Sequence, residues 1–366
     1  MNINIVSPIN QLGYGIAGLN ICKALSKICK LSLIPIPPID IYNEADAEVL
    51  KEVILNSKFL DFDAPCIKVW HQNDMTQFAG RGLRIGFPFF ELDVFTDYEK
   101  HHLNSLDAIF VSSAWAKEIC IQNLNVKEEN IFVVPLGVDR SIFNESYKTK
   151  DPTNKTVFFN CGKWEIRKGH DVIFQLFNDA FTEDDNVELW MMNSNPFLSE
   201  EDQNKWNSLY LGSKLGSKIT IIPRAKTQQE VYNIMSQIHC GIFPSRAEGW
   251  NLELLELMSC GKHVIATDYS AHSEFCNDSN CFIININEKE KAFDGKWFLG
   301  QGNWAKITKE AKDQAVRHMR NIYDKHQNNT LEINTAGIET SKVFSWENSA
   351  RKIVQHVQLL QENRSK

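Results

Sequence analysis

Residues 240–275 read Cys240-Gly-Ile-Phe-Pro-Ser-Arg-Ala-Glu248-Gly-Trp-Asn-Leu-Glu-Leu-Leu-Glu256-Leu-Met-Ser-Cys-Gly261-Lys-His-Val-Ile-Ala-Thr267-Asp-Tyr-Ser-Ala-His-Ser-Glu-Phe275. The pattern is strand, polar loop, short helix, strand, polar loop. An apolar strand over 239–243 stops at Pro244. Leu252, Leu255 and Met258 form an apolar helical stripe, and Gly261 caps just past its end. His263 to Thr267 is a second apolar strand. A strand–helix–strand unit places its ligands at the carboxyl ends of its strands. That edge holds Glu248, Gly249 and Trp250 after the first strand, and Tyr269 to Glu274 after the second.

Two acids frame the helix start. Glu248 lies in the loop and Glu256 inside the helix. With a start near Asn251, Glu256 lies about 7–8 Å along the axis, and the N–H groups of Trp250, Asn251 and Leu252 fall between the acids. Helix-start N–H groups suit an anion such as phosphate. Ionised carboxylates accept several hydrogen bonds and so suit hydroxyls. Together they make a site for a sugar nucleotide. For either Glu taken alone, a capped helix with solvated acids is the favoured account.

These residues also resemble a known family. Glu248-Gly-Trp-Asn-Leu-Glu-Leu-Leu-Glu256, preceded by Pro244-Ser245 and followed by Cys260 to Thr267, is similar to the Glu-x7-Glu region of retaining GT-B glycosyltransferases, especially glycosyltransferase family 4. The family most often has Glu-Gly-Phe-Gly there, so Trp250 and Asn251 depart from its commonest form. Asn251 adds a side chain where the family's backbone approaches the donor phosphates. The resemblance implies an α/β chain of GT-B fold: two Rossmann-like domains facing one another across a cleft, with a C-terminal helix crossing back to the N-terminal domain. The implied ranges are 1–145 for the acceptor domain, 155–342 for the donor domain and 343–366 for the returning helix.

The whole chain fits two domains, since 366 residues exceed one ordinary core. A hydrophobic content of 43% and a charged content of 23% are those of a soluble globular protein. The net charge of −7 argues against a nonspecific polyanion binder. No apolar run reaches the ~18 residues of a membrane span, and Met1 opens into a strand pattern at Ile3 to Val6 instead of a signal peptide. Nine cysteines without a Cys-x-x-Cys pair read as reduced thiols of a cytoplasmic protein, with peripheral attachment to a membrane left open. Cys276 and Cys281 are too isolated to make a metal site.

Toward the N-terminus, Gly13-Tyr-Gly15-Ile-Ala-Gly18 precedes a helical pattern over Ala17 to Cys29. Formally this is a dinucleotide-binding fingerprint. Its first Gly, however, lies seven positions after Val6, and the only nearby acid past the next strand is Asp40. The resemblance instead implies a Gly-rich loop facing the donor phosphates, with Gly13 and Gly15 in it. Asp61-Phe-Asp63 precedes the strand Ile67 to Trp70, so it reads as a turn and not as a metal-binding motif ending a strand. His71 follows that strand, where the resemblance places a His over the donor sugar. His101 and His102 face different ways on one helix and do not chelate together. Glu91, Ser112 to Trp115 and Pro135 to Asp139 follow the order in which the family closes its first domain. Asn144 to Asn154 is polar and reads as the interdomain linker.

In the second domain the strand Val157 to Asn160 leads to Cys161-Gly-Lys-Trp-Glu-Ile-Arg167-Lys168-Gly169 and a helix over Asp171 to Phe181. Two cations at a strand's carboxyl end oppose a diphosphate, Arg through a fork and Lys as a point charge. A solvated basic turn is the plain alternative. Pro223-Arg224 follows the strand Ile219 to Ile222, where the resemblance implies contact with the nucleotide base. Residues 287–306 are less regular and interleave Gly with Trp297, Phe298 and Trp304; packing or sugar contact both fit them. A helix over 307–325 and a last one opened by Phe344-Ser-Trp346 complete the chain.

The resemblance implies transfer of a hexose from a UDP- or GDP-sugar to a hydroxyl acceptor, with retention and without a metal or other cofactor. Arg167 and Lys168 would neutralise the leaving diphosphate. Glu256 would bind the ribose hydroxyls. Glu248 would bind the donor sugar, with Gly249, Trp250, Asn251, Leu252, Ser270 and Glu274 around it. The acceptor is open among glycans, lipid-linked sugars and small molecules, and the acidic charge disfavours modified DNA. The rival readings are a GT-B phosphorylase or epimerase, an NAD(P)-linked oxidoreductase on Gly13 to Gly18, and an inactive sugar-nucleotide-binding protein.

Overall fold

The computed structural model describes residues 1–146 and 154–364. Residues 147–153 of the expected linker, Pro152 among them, lie outside the described residues. The chain divides into two compact units, Met1–Asp139 with Val343–Lys366, and Arg140–Lys342.

The first unit alternates strand and helix: β1 (Asn2–Pro8), α1 (Gly13–Ser26), β2 (Lys30–Ile36), α2 (Glu44–Asn56), β3 (Cys66–Lys68), β4 (Arg84–Gly86), α3 (Asp97–Asn104), β5 (Ala108–Val111), α4 (Ala114–Asn123) and β6 (Ile131–Val133). The six strands form one parallel sheet in the order β2-β1-β3-β4-β5-β6. Alternation forces this, because a parallel neighbour needs a crossover and helices supply it. Strands covered on both faces carry apolar runs such as Ala108 to Val111, and Ile3, Ile5 and Val6 of β1 are buried likewise. Asp61 and Asp63 form the turn before β3: Asp61 accepts from the Asp63 N–H, and Asp63 pairs with Arg81 at 2.7 Å.

The second unit contains β7 (Thr156–Gly162), α5 (His170–Ala180), β8 (Val187–Asn193), α6 (Glu200–Leu211), β9 (Ile219–Ile221), α7 (Gln228–Met235), β10 (Cys240–Phe243), α8 (Leu252–Ser259), β11 (His263–Thr267), β12 (Phe282–Ile284), β13 (Lys289–Phe293), β14 (Leu299–Ala305), α9 (Lys309–Gln327) and α10 (Thr335–Val343). Its sheet runs β12-β11-β10-β7-β8-β9, again parallel, with β13 and β14 as a separate antiparallel pair. Trp164 anchors the core here, stacked on Trp206 of α6 at 5.4 Å and packed beside Tyr210. The chain then returns to the first unit as α11 (Trp346–Arg364). Val138 pairs with Ser345, and the Ser349 hydroxyl donates to the Pro135 carbonyl at 2.6 Å.

Two local expectations are corrected. Gly13 to Gly18 is no loop: α1 begins at Gly13, so these glycines occupy its first turns. The turn before it closes when the Leu12 N–H donates to Asn10 Oδ1 at 2.9 Å. A Cβ on Gly15 would overlap Asn10, so the glycine lets the helix seat on that turn. Residues 287–306, read as irregular, form the β13–β14 hairpin, because Lys289 to Phe293 alternates exposed and covered side chains in strand fashion.

The apolar stripe read on α8 is also too narrow. Leu254 and Leu257 are buried along with Leu252, Leu255 and Met258, so the helix is covered nearly all round, and Glu256 is buried with them. At the start of α5, Gly169 has φ 77 and ψ 14, and a Cβ there would strike the Pro244 carbonyl. Gly169→Ala is expected to cost at least about 2 kcal/mol, the left-handed penalty plus that clash. A calorimetric melt in which the second unit keeps its Tm would contradict this.

Candidate active site

Counted within the second unit alone, the sheet order is 3-2-1-4-5-6, and it reverses between β7 and β10. Crevices for ligands open at the carboxyl ends of the strands flanking such a switch point. The loop leaving β7 holds Lys163 to Gly169, and the loop leaving β10 holds Pro244 to Asn251. The structure joins the two loops through buried charge. Arg167 Nη1 donates to Glu248 Oε2 at 2.8 Å and to the Ala247 carbonyl at 2.6 Å. Its Nε and Nη2 donate to Glu165 Oε2 at 3.1 and 2.7 Å. Lys168 Nζ and the Ser245 hydroxyl donate to Glu248 Oε1 at 2.9 and 3.0 Å.

Arg167 is 4% exposed, with its fork engaged by protein, while the Lys168 side chain keeps 11% exposure. Burial by itself would push the Glu248 carboxyl up. The charges of Lys168 and then Arg167 outweigh it and hold the carboxyl well below the usual range. Burial likewise opposes charge on Lys168, and the neighbouring Glu248 overcomes it and keeps the ammonium protonated. Glu165 is held down by Arg167 against the same penalty, and it also pairs with Lys163 at 3.0 Å. A carboxylate has about four acceptor positions. Three on Glu248 are filled by Arg167, Lys168 and Ser245, which leaves capacity for one hydroxyl.

The third loop, after β11, closes on the other side of Glu248. Its N–H donates to the Ser270 hydroxyl at 2.8 Å, and the Ala271 N–H donates to its carbonyl at 3.3 Å. Ser270 holds φ 56 to do this, at the start of a short 3-10 helix over Ser270–Glu274. Glu274 lies in the same turn, half-buried. Asn251 caps α8 at φ 86, its Oδ1 accepting from the Leu254 N–H at 3.2 Å. Its Nδ2 lies 2.9 Å from His272 Nε2, while His272 Nδ1 meets the Thr267 carbonyl at 3.1 Å. An amide donor on Nε2 and a carbonyl on Nδ1 fix a neutral ring with its proton on Nδ1. Asn is among the few residues with a side chain that accept such a φ, so Asn251 serves here in place of a glycine. Gly249, Trp250 and Leu252 are buried in the same loop, with the Trp250 ring 4.9 Å from Phe275.

The structure therefore brings Arg167, Lys168, Glu248, Asn251 and Ser270 into one bonded network, with Gly249, Trp250 and Leu252 along its chain. Arg224 stands apart. It is exposed after β9, the edge strand two positions from β7. In the first unit, Gly13 and Gly15 flank Tyr14, whose ring lies 4.6 Å from His71 and 4.8 Å from Phe89. The Tyr14 hydroxyl donates to the Phe89 carbonyl at 2.7 Å and accepts the Phe89 N–H at 2.8 Å. Gly13, Gly15 and His71 are thus neighbours at the carboxyl edge of β1 and β3.

Sequence reasoning missed Glu165, Arg246 and His170, and did not single out His272 within the run Ser270 to Ser273. Arg246 is a buried hub: it donates to Asp171 at 2.7 and 2.8 Å, to the Ile166 carbonyl at 2.6 Å and to Glu290 of β13 at 3.1 Å. Its place two residues before Glu248 was the available signal. His170 accepts the Glu165 N–H on Nδ1 at 3.0 Å and meets Asn160 Oδ1 through Nε2 at 2.9 Å. Among the described residues, no group of three or more His, Cys, Asp and Glu is placed to hold a metal ion.

The class defined by this architecture is the GT-B fold, two Rossmann-like units with parallel six-stranded sheets. Its particular assignment comes from comparison. Residues 141–296 match the model of the family described as glycosyl transferases group 1, which with the fold supports a glycosyltransferase. No curated protein matches the chain. Among solved structures, a glycosyltransferase from Rickettsia africae is similar at 16% identity and a TM-score of 0.70, covering 99% of each chain. HepE of Anabaena in complex with UDP-glucose is similar at 13% and 0.66, covering 100% of this chain and 99% of the other. Sucrose-phosphate synthase from Thermosynechococcus elongatus is similar at 14% and 0.68, covering 99% and 100%.

Burial pushes His272 down to about 4 and His170 down to about 3, so both are neutral in the fold. An unfolded His protonates near ~6.5. Below that pH the unfolded chain binds more protons, so stability falls as the pH drops through 6.5 toward those values. Each ring contributes up to about 1.4 kcal/mol per pH unit in that window. His272→Gln should remove one proton from the slope of urea-unfolding stability between pH 6.5 and about 4.5; an unchanged slope would refute its neutral burial. Arg167→Ala, which removes a buried charge partner from both Glu165 and Glu248, should cost about 3–5 kcal/mol in the same assay.

Proposed function

We propose that the chain is a retaining, metal-independent glycosyltransferase that moves a hexose from a nucleoside diphosphate sugar to a hydroxyl acceptor. The observation that carries this is the Arg167–Lys168–Glu248 network at the switch point of the second unit. A fixed carboxylate with one acceptor position open suits a sugar hydroxyl. An ammonium beside it suits a diphosphate. Lys168 acts as the charge on the leaving group, and Arg167 acts through Glu248 and the loop it holds. Glu256, buried in the second turn of α8, is the ribose-binding acid of this reading. Arg224 would reach the base only if the nucleotide extends along the sheet edge.

The anomeric C–O bond to the diphosphate breaks as the acceptor oxygen bonds the same face of that carbon, and the leaving phosphate oxygen takes the acceptor's proton. Negative charge grows on that oxygen, so a cation placed for it stabilises the transition state more than the bound donor. UDP-glucose, which HepE binds, makes UDP-hexoses the first donors to examine.

A thermal-shift screen of UDP- and GDP-sugars with EDTA present should raise the Tm for one nucleotide class, by mass action. Lys168→Ala should then lower kcat/KM about 10²–10³-fold, read at a temperature where the variant is folded, because it also removes a buried partner of Glu248. No shift with any donor, or an inverted product anomer by NMR, would overturn the reading.

A further inference from the structure

The β13–β14 hairpin presents a surface that the donor chemistry does not use. Along β13, Lys289, Lys291 and Phe293 are exposed while Ala292 is buried. Phe293 pairs across the hairpin with Leu299. At and beside the tip, Phe293 is 61%, Trp297 49% and Leu299 72% exposed. The hairpin's own packing is done by other rings: Phe298 lies 5.3 Å from the buried Trp304. The tip is nonetheless shaped. Gly295 turns at φ 74, and Asp294 Oδ1 accepts the N–H groups of Lys296, Trp297 and Phe298 at 2.8, 2.7 and 2.9 Å. Lys296 ties it to Asp202 of α6 at 2.9 Å. Three large apolar side chains are therefore held out in water by a built turn.

The charges around them are sorted. Glu290 is engaged by Arg246 and by the Trp304 indole, Glu288 by Lys306, and Asp294 by the turn itself. Lys289 and Lys291 stand on the exposed face behind the apolar tip, the Lys289 ammonium 5.6 Å from the Tyr269 ring. An apolar edge with Trp, backed by lysines, matches the order of a bilayer surface from acyl boundary to anionic headgroup. A stacked sugar fits less well. The nearest exposed ring, Phe197, meets Trp297 at 76°, so the two offer no shared flat face, and Leu299 offers none at all.

We propose that the hairpin tip docks this protein on a membrane surface containing anionic lipid, with Phe293, Trp297 and Leu299 entering the interface and Lys289 and Lys291 meeting the headgroups. The base of the hairpin is bonded to the catalytic loops. Arg246 joins Glu290 to the Ile166 carbonyl and to Asp171, and the Ala305 N–H donates to the Arg246 carbonyl at 2.9 Å. Docking therefore fixes the orientation of the Lys163–Gly169 loop above the surface. The inference concerns a partner and stands apart from the donor reading, so each can fail without the other.

The test is cosedimentation of the full chain with phosphatidylcholine vesicles, with and without phosphatidylglycerol. Binding is expected only with phosphatidylglycerol, and it should weaken as salt rises. The triple variant F293S/W297S/L299S should lose binding, and K289E/K291E should weaken it roughly tenfold or more. Both should keep the wild-type melt. A wild type indifferent to phosphatidylglycerol, or a triple variant that binds like it, overturns the proposal. So does a wild-type dimer that ignores vesicles and becomes monomeric in the triple variant, which would make a second copy the occupant.

Discussion

The second unit depends on one buried ion pair, Arg167 with Glu248. It spans two loops that leave adjacent strands, β7 and β10, on either side of the point where the sheet order reverses. Taking both charges out of water is expensive, and the pair is tolerable only because its remaining hydrogen-bonding positions are filled. Glu165, the Ala247 carbonyl, Lys168 and Ser245 do that. The consequence is positional: neither loop can shift without leaving a charge bare. A carboxylate and an ammonium are thus held in fixed positions by the fold.

The same loops bend through backbone conformations that most residues avoid. Gly169, Asn251 and Ser270 all have positive φ, at 77, 86 and 56. Each is held differently. Gly169 has no side chain to meet Pro244; Asn251 uses its amide on the helix start and on His272; Ser270 accepts the Glu248 N–H. Strained residues of this kind persist where their surroundings over-determine them, and they cluster at working sites. Two of them bear on Glu248 or its loop through hydrogen bonds or loop position, independently of any motif.

Two neutral histidines extend the network inward. His170 lies under the β7 loop and His272 under the β11 loop, and in each ring a fixed hydrogen-bond pattern sets the tautomer. Together with Arg246 they tie the loops to the sheet and to the hairpin. In the first unit the comparable role falls to Tyr14, which binds the Phe89 backbone in both directions and carries the His71 ring beside it.

By itself the sequence determined the class of fold, because alternating apolar strands and helices admit only parallel sheets with crossovers. It also determined the edge at which these charges gather, since Arg167, Lys168 and Glu248 each follow a strand. Local pattern reads such features well, as they depend on residues near one another in the chain. Tertiary structure alone decided what those residues do to one another. That Arg167 is locked by Glu248, that the left-handed Asn251 is held by His272, and that Arg246 bonds the hairpin to the loop rest on contacts between segments far apart in sequence. Their physical basis is burial: charge, strain and polarity are settled by the groups that exclude water around them, and only the folded chain brings those groups together.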